Sequence, residues 1–187
     1  MKIFRHLLLK ISHEVVYYPT SSHEVVDRGK QMALFVGEFD QALDEKRRIA
    51  IPAPLRDQID AATDGEGFFL VLGTKRHLWL YPDKYYRGLT ATLKRSPLPT
   101  RSGEKMGLFF AMARYVEPDK QGRIVLPEKS IQRAVVGEQV TLVGHDDHIE
   151  VWPREEWDRH LQEQLPSYDD AILEMGEKLS GVDLPPP

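Results

Sequence analysis

Leu43-Asp44-Glu45-Lys46-Arg47-Arg48-Ile49-Ala50-Ile51-Pro52 and Pro118-Asp119-Lys120-Gln121-Gly122-Arg123-Ile124-Val125-Leu126-Pro127 are one pattern written twice, 75 residues apart. Each copy has an Asp, an Arg four residues on, alternating aliphatic side chains and a Pro. The echo continues downstream, where Val71–Pro82 aligns without a gap on Leu142–Pro153. A single copy of a supersecondary unit cannot bury its apolar face alone, so a duplication implies two copies packed on each other. A duplicated basic turn also presents the same chemistry twice on one surface.

The chain has 187 residues, 41% hydrophobic and 29% charged, as expected of a globular protein with a sizeable core. It has no cysteine, which excludes a disulfide framework, a thiolate nucleophile and a thiolate metal site. Leu7-Leu8-Leu9 is hemmed by Arg5, His6, Lys10 and His13, too short and too charged for a signal peptide or a membrane span. The chain therefore reads as cytoplasmic. The net charge of −4 is unevenly spread: residues 137–187 carry 13 acids against three Lys and Arg, whereas Lys84 to Arg133 carries 11 Lys and Arg against four acids. That polarity fits a basic binding face beside an acidic, solvated flank, or else an ordinary mixed surface with an acidic tail.

Within each unit the motif reads as strand, tight turn, strand, with Ile49 and Ile51, or Ile124 and Leu126, on the inward face. Asp44 and Asp119 suit turn starts, their carboxylates accepting backbone N–H groups one and two residues later. Gly122 supplies a left-handed backbone at low cost. Short helices are expected at Ala53–Ile59 and Glu128–Ala134. Second hairpins are expected with turns at Gly73–Arg76 and Gly144–Asp147. Pro82 and Pro153 introduce amphipathic helices carrying Tyr86, Leu89 and Leu93, and Trp157, Leu161 and Leu165. Tyr86 and Trp157 correspond in the repeat, so both are expected in the core. Glu104–Ala113 reads as a buried connecting helix and Tyr168–Leu179 as a last helix. The repeat register opens after Met32, which is read as a candidate start preceded by a 31-residue extension, an ordered N-terminal arm being the other reading. A chain beginning at Met32 is expected to fold and bind as the full chain does. Insolubility or lost binding of that shortened chain would make the extension part of the fold.

Two in-register Asp-x-x-x-Arg motifs, each trailed by aliphatic-x-aliphatic-Pro and a matching second hairpin, resemble the MraZ family over roughly Phe35 to Leu179. The resemblance implies a mainly β fold with α-helices: two tandem AbrB-like swapped-hairpin half-barrels forming a pseudo-twofold β-barrel flanked by helices. It divides the chain into an N-terminal extension (1–34), a first repeat (35–96), a connecting helix (97–112), a second repeat (113–166) and a C-terminal helix and tail (167–187). It also implies a DNA-binding transcriptional regulator, nucleoid-associated, assembled as a ring-like homo-oligomer that presents many motifs to repeated promoter elements of double-stranded DNA. By that resemblance Lys46, Arg48, Lys120 and Arg123 contact DNA. Arg47 stands where the family expects the Gly seen at Gly122. Either the first turn takes a different shape, or it accepts about 1 kcal/mol of strain to carry another cation.

Arg48 and Arg123 sit four residues after an Asp, so each can pin its own hairpin, contact DNA, or do both. Lys46, Arg47 and Lys120 have no such partner in the sequence and are expected to point outward to phosphate. Few cations per chain mean weak, non-specific binding by a monomer, so affinity is expected from repeated copies. His145-Asp146-Asp147-His148 has metal-ligand residue types, but its counterpart Thr74-Lys75-Arg76-His77 is cationic, so no metal is expected. No phosphate loop or catalytic triad spacing is present, so neither an enzyme nor a cofactor is expected. The competing function is an antitoxin-like protein-interaction or scaffold module whose acidic C-terminal helices bind a basic partner.

Overall fold

The alternating aliphatics after each motif form short strands whose inward residues meet across a twofold. A computed structural model describes residues 32–93 and 101–180, with side chains from Met106 onward in the helix that starts at Arg101. The first copy supplies β1 (Glu38–Ala42), β2 (Arg48–Ala50), α1 (Ala53–Arg56), α2 (Ala61–Asp64), β3 (Phe68–Leu72), β4 (Leu78–Pro82) and α3 (Asp83–Thr92). After α4 (Arg101–Met112), the second copy supplies β5 (Arg114–Val116), β6 (Arg123–Val125), α5 (Glu128–Arg133), β7 (Gln139–His145), β8 (His148–Pro153) and α6 (Arg154–Gln164), and α7 (Tyr168–Leu179) follows.

Two antiparallel sheets result. One is six-stranded, in the order β1-β7-β8-β4-β3-β5, and the other is a two-stranded ribbon, β2-β6. The pairing crosses between copies: β1 lies on β7, β5 on β3, and β4 on β8. In the ribbon Ile49 faces Ile124, and in the large sheet Trp79 faces Glu150. Each is a residue facing its own counterpart in the repeat, so a pseudo-twofold axis passes through both pairs. The flanking bonds obey it: the Ile51 N–H donates to the Gly122 carbonyl and the Leu126 N–H to the Arg47 carbonyl, both at 2.8 Å. Ile49, Ile51, Ile124 and Leu126 are buried with Leu70, Leu80, Leu142, Ile149 and Val151 in one core. Phe35 joins it, anchored by backbone hydrogen bonds in both directions with Asp146. The expectations for residues 1–31 lie outside the described residues.

Several elements depart from the sequence reading. α1 stops at Arg56 because Asp60 starts a new helix, its carboxylate accepting the Ala62 N–H at 2.7 Å. The second hairpin of the second copy is tighter than expected: β7 runs on to His145, and Asp146 takes φ of 57° at a two-residue tip. Tyr86 is buried and stacks on Phe69 with ring centroids 4.4 Å apart. Trp157 is only half-buried, because its indole N–H reaches out to the Glu38 carboxylate at 2.6 Å while its ring edges onto Trp152. α4 is not buried along its described part: Phe109 packs near Tyr86, but Leu108 and Phe110 are exposed. Leu165 is exposed too, at a short 3-10 turn containing Pro166 that redirects the chain into α7.

Candidate nucleic-acid interface

Each end of the β2-β6 ribbon is a turn built by one aspartate. At the first, the Arg47 N–H donates to the Asp44 carbonyl at 2.8 Å and the Asp44 N–H to the Arg48 carbonyl at 3.0 Å. The Asp44 carboxylate accepts the backbone N–H groups of Lys46 and Arg48, both at 2.9 Å, and the Arg48 side chain at 2.7 Å. The second turn repeats this: the Asp119 carboxylate accepts the N–H groups of Gln121 at 2.8 Å and Arg123 at 3.0 Å, and pairs with the Arg123 guanidinium at 2.7 Å. The acceptor pattern is therefore two and four residues on, not one and two. The Asp–Arg pairs do pin both hairpins. Arg48 and Arg123 remain partly exposed, so the pin does not withdraw them from solvent.

Hydrogen bonds from the Arg123 side chain and backbone hold the Asp119 carboxyl at about 2, below its ordinary 3.8. The Arg48 side chain and backbone lower Asp44 in the same direction. A carboxylate depressed in the fold contributes stability above its unfolded pKa and loses it as pH falls through the folded one. The acid-unfolding profile of Asp119→Asn is therefore expected to lose part of its pH dependence between about 4 and about 2. Circular dichroism against pH checks this, and an unchanged profile in that window would mean that the pin contributes nothing.

The first turn has the same shape as the second. Arg47 takes φ of 60° where Gly122 takes 75°, so the first turn accepts left-handed strain to carry its cation. Arg47 is exposed at the turn, and its Nη1 donates to the Glu128 carboxylate at 3.0 Å from the start of α5, a partner that the sequence spacing does not show. Lys46 and Lys120 are exposed at the turns. On the other turn, the guanidinium of Arg56, at the end of α1, lies against Gly122. A Cβ on Gly122 would fall 2.8 Å from its Nε, Cζ and Nη1. Arg56 and Glu128 were missed because the repeat pairs Arg56 with Ile131 and Glu128 with Ala53, and their contacts are with the opposite copy.

At the His145–His148 tip, His145 and Asp146 are exposed, while Asp147 and the buried His148 join a polar network. His148 contacts Asp147 through Nδ1 at 2.5 Å and Glu150 through Nε2 at 3.4 Å, and the Tyr85 hydroxyl donates to Asp147. Burial lowers the imidazole pKa, but the bonds to Asp147 and Glu150 outweigh it and raise the net value. Among the described residues no group of His, Asp and Glu has the arrangement to hold a metal ion. At the exposed cationic tip of the first copy, Arg76 Nε donates to the Arg133 carbonyl at 2.6 Å. Among the described residues no helix is long and apolar enough to cross a membrane.

These features define a tandem-repeat β protein whose two copies place one Asp–Arg turn at each end of a shared ribbon. The family described as "MraZ protein, putative antitoxin-like" matches residues 34–106 and 109–172, and the chain belongs to the MraZ family. It is 34% identical to a protein of Heliobacterium modesticaldum over 81% of this chain and all of the relative. It is 36% identical to one of Herpetosiphon aurantiacus over the same shares, and 31% identical to one of Clostridium tetani over 77% of this chain and 98% of the relative. All three relatives bear the name transcriptional regulator MraZ.

Proposed function

We propose that this chain is a DNA-binding transcriptional regulator that grips repeated promoter elements through the turns at the two ends of the β2-β6 ribbon. The observation that carries this reading is the ribbon itself, where two Asp-pinned turns, related by a pseudo-twofold, carry Lys46, Arg47, Arg48, Lys120 and Arg123 at an exposed edge. Asp44, Asp119 and Gly122 shape those turns. The names of the relatives point the same way. The crossed pairing of β1 with β7 and of β5 with β3 supports the swapped-hairpin, barrel-like arrangement and the partition into two repeats between a terminal extension and a C-terminal helix. The working place of such a protein is the cytoplasm, on the nucleoid. The reading is tested by gel-shift with DNA upstream of its own gene at two salt concentrations. A retarded complex that weakens with salt is expected, and no complex at low salt would overturn the reading.

A ring-like homo-oligomer supplies the repetition. α7 supports self-association: Tyr168, Ile172, Met175 and Leu179 recur at coiled-coil spacing and are 47–57% exposed. Light scattering at micromolar concentration is expected to give more than two chains per particle, and a monomer would contradict it. The same helix favours one other reading, a protein-interaction module of antitoxin-like type, because it is acidic at Asp169, Asp170, Glu174 and Glu177.

A further inference from the structure

The two turns are built alike but surrounded differently. At the first, three cations (Lys46, Arg47, Arg48) stand with three acids: Asp44 and Glu45 in the turn, and Glu128 on Arg47. At the second, Lys120, Arg123 and the overlying Arg56 stand with one acid in the turn itself, Asp119, and with Asp57 next to Arg56 in the chain. Among the described residues no carboxylate forms an ion pair with Arg56, and the residue is exposed. Its guanidinium rests on the backbone of Gly122, which a side chain at that position would displace. The planar guanidinium lies over the turn, and its edge donors suit the oxygens of a phosphate. Gly122 thus serves twice, giving the turn its positive φ and giving Arg56 its seat.

We propose that Arg56 is a further phosphate-binding residue, which makes the second turn the dominant DNA grip, and that Glu128 restrains the first turn by competing with phosphate for Arg47. This rests on the DNA-binding reading above and assigns unequal work to the two ends of the ribbon. The ligand chemistry is the phosphodiester backbone of a duplex, a sequence-independent contact that positions the protein.

The test measures affinity of the full chain for a duplex from the DNA upstream of its own gene, across a salt series, for Arg56→Gln, Arg56→Lys, Glu128→Gln and Lys120→Ala. Arg56→Gln is expected to weaken binding about 3–10-fold and to lower the salt slope by about one, and Arg56→Lys to keep the slope. Glu128→Gln is expected to tighten binding about 3-fold, since an exposed ion pair competes only weakly with phosphate for Arg47. Thermal unfolding separates these effects from folding. If Lys120→Ala weakens binding while Arg56→Gln leaves affinity and slope unchanged, the assignment of Arg56 is wrong and the DNA-binding reading stands. If Glu128→Gln leaves affinity unchanged or lowers it, the restraint on Arg47 is wrong. If none of the four alters binding, the ribbon is not the DNA surface and both readings fall.

Discussion

Ile49→Ala and Ile124→Ala are each expected to cost about 2–5 kcal/mol, a large share of the about 5–15 kcal/mol that holds a domain together. Both side chains are fully buried in the main core and face each other at the centre of the ribbon. Because they meet across the pseudo-twofold, the double variant is expected to be non-additive. Urea unfolding with a tryptophan signal measures all three. A loss below about 1 kcal/mol in both single variants would mean that the ribbon is not packed on the core.

Simultaneous replacement of Lys46, Arg47 and Lys120 with Ala is expected to weaken DNA binding by at least about tenfold per chain, and more in an assembly that repeats the contact. The salt dependence should flatten, because fewer counterions are displaced. Folding should change little. Lys46 and Lys120 are exposed, and the Arg47–Glu128 pair is a surface pair worth at most about 1 kcal/mol. Arg48→Ala or Arg123→Ala should instead reduce stability as well as binding, because each also pins a turn. Filter binding beside thermal unfolding separates the two classes. Unaltered affinity of the triple variant at every salt concentration would move the protein-interaction reading ahead.

What the sequence made legible was what the repeat preserves locally. The Asp–Arg pins lie within five residues of chain, and the inward set Ile49, Ile51, Ile124 and Leu126 follows from strand alternation. The strained φ of Arg47 was one of two open shapes, because the sequence shows the missing glycine and not the backbone that replaces it. Contacts that cross the pseudo-twofold were not legible. Arg47 meets Glu128 81 residues away, and Arg56 meets Gly122, at positions whose counterparts, Ala53 and Ile131, have no charge. Repeat register also misled at Trp157, whose counterpart Tyr86 is buried under Phe69 and near Phe109 while Trp157 itself bonds to Glu38 at the surface. Equivalent positions share backbone, but their neighbours come from different parts of the chain.

The most direct measurement of the central claim places a photo-crosslinking amino acid at Gln121, at the tip of the second turn, and in a second protein at Glu174, on α7. Both are irradiated with a duplex from the DNA upstream of the chain's own gene. Capture of the duplex from position 121 and not from position 174 is the predicted result, whereas capture from 174 alone, or from neither while the protein retards the duplex in a gel, would contradict it.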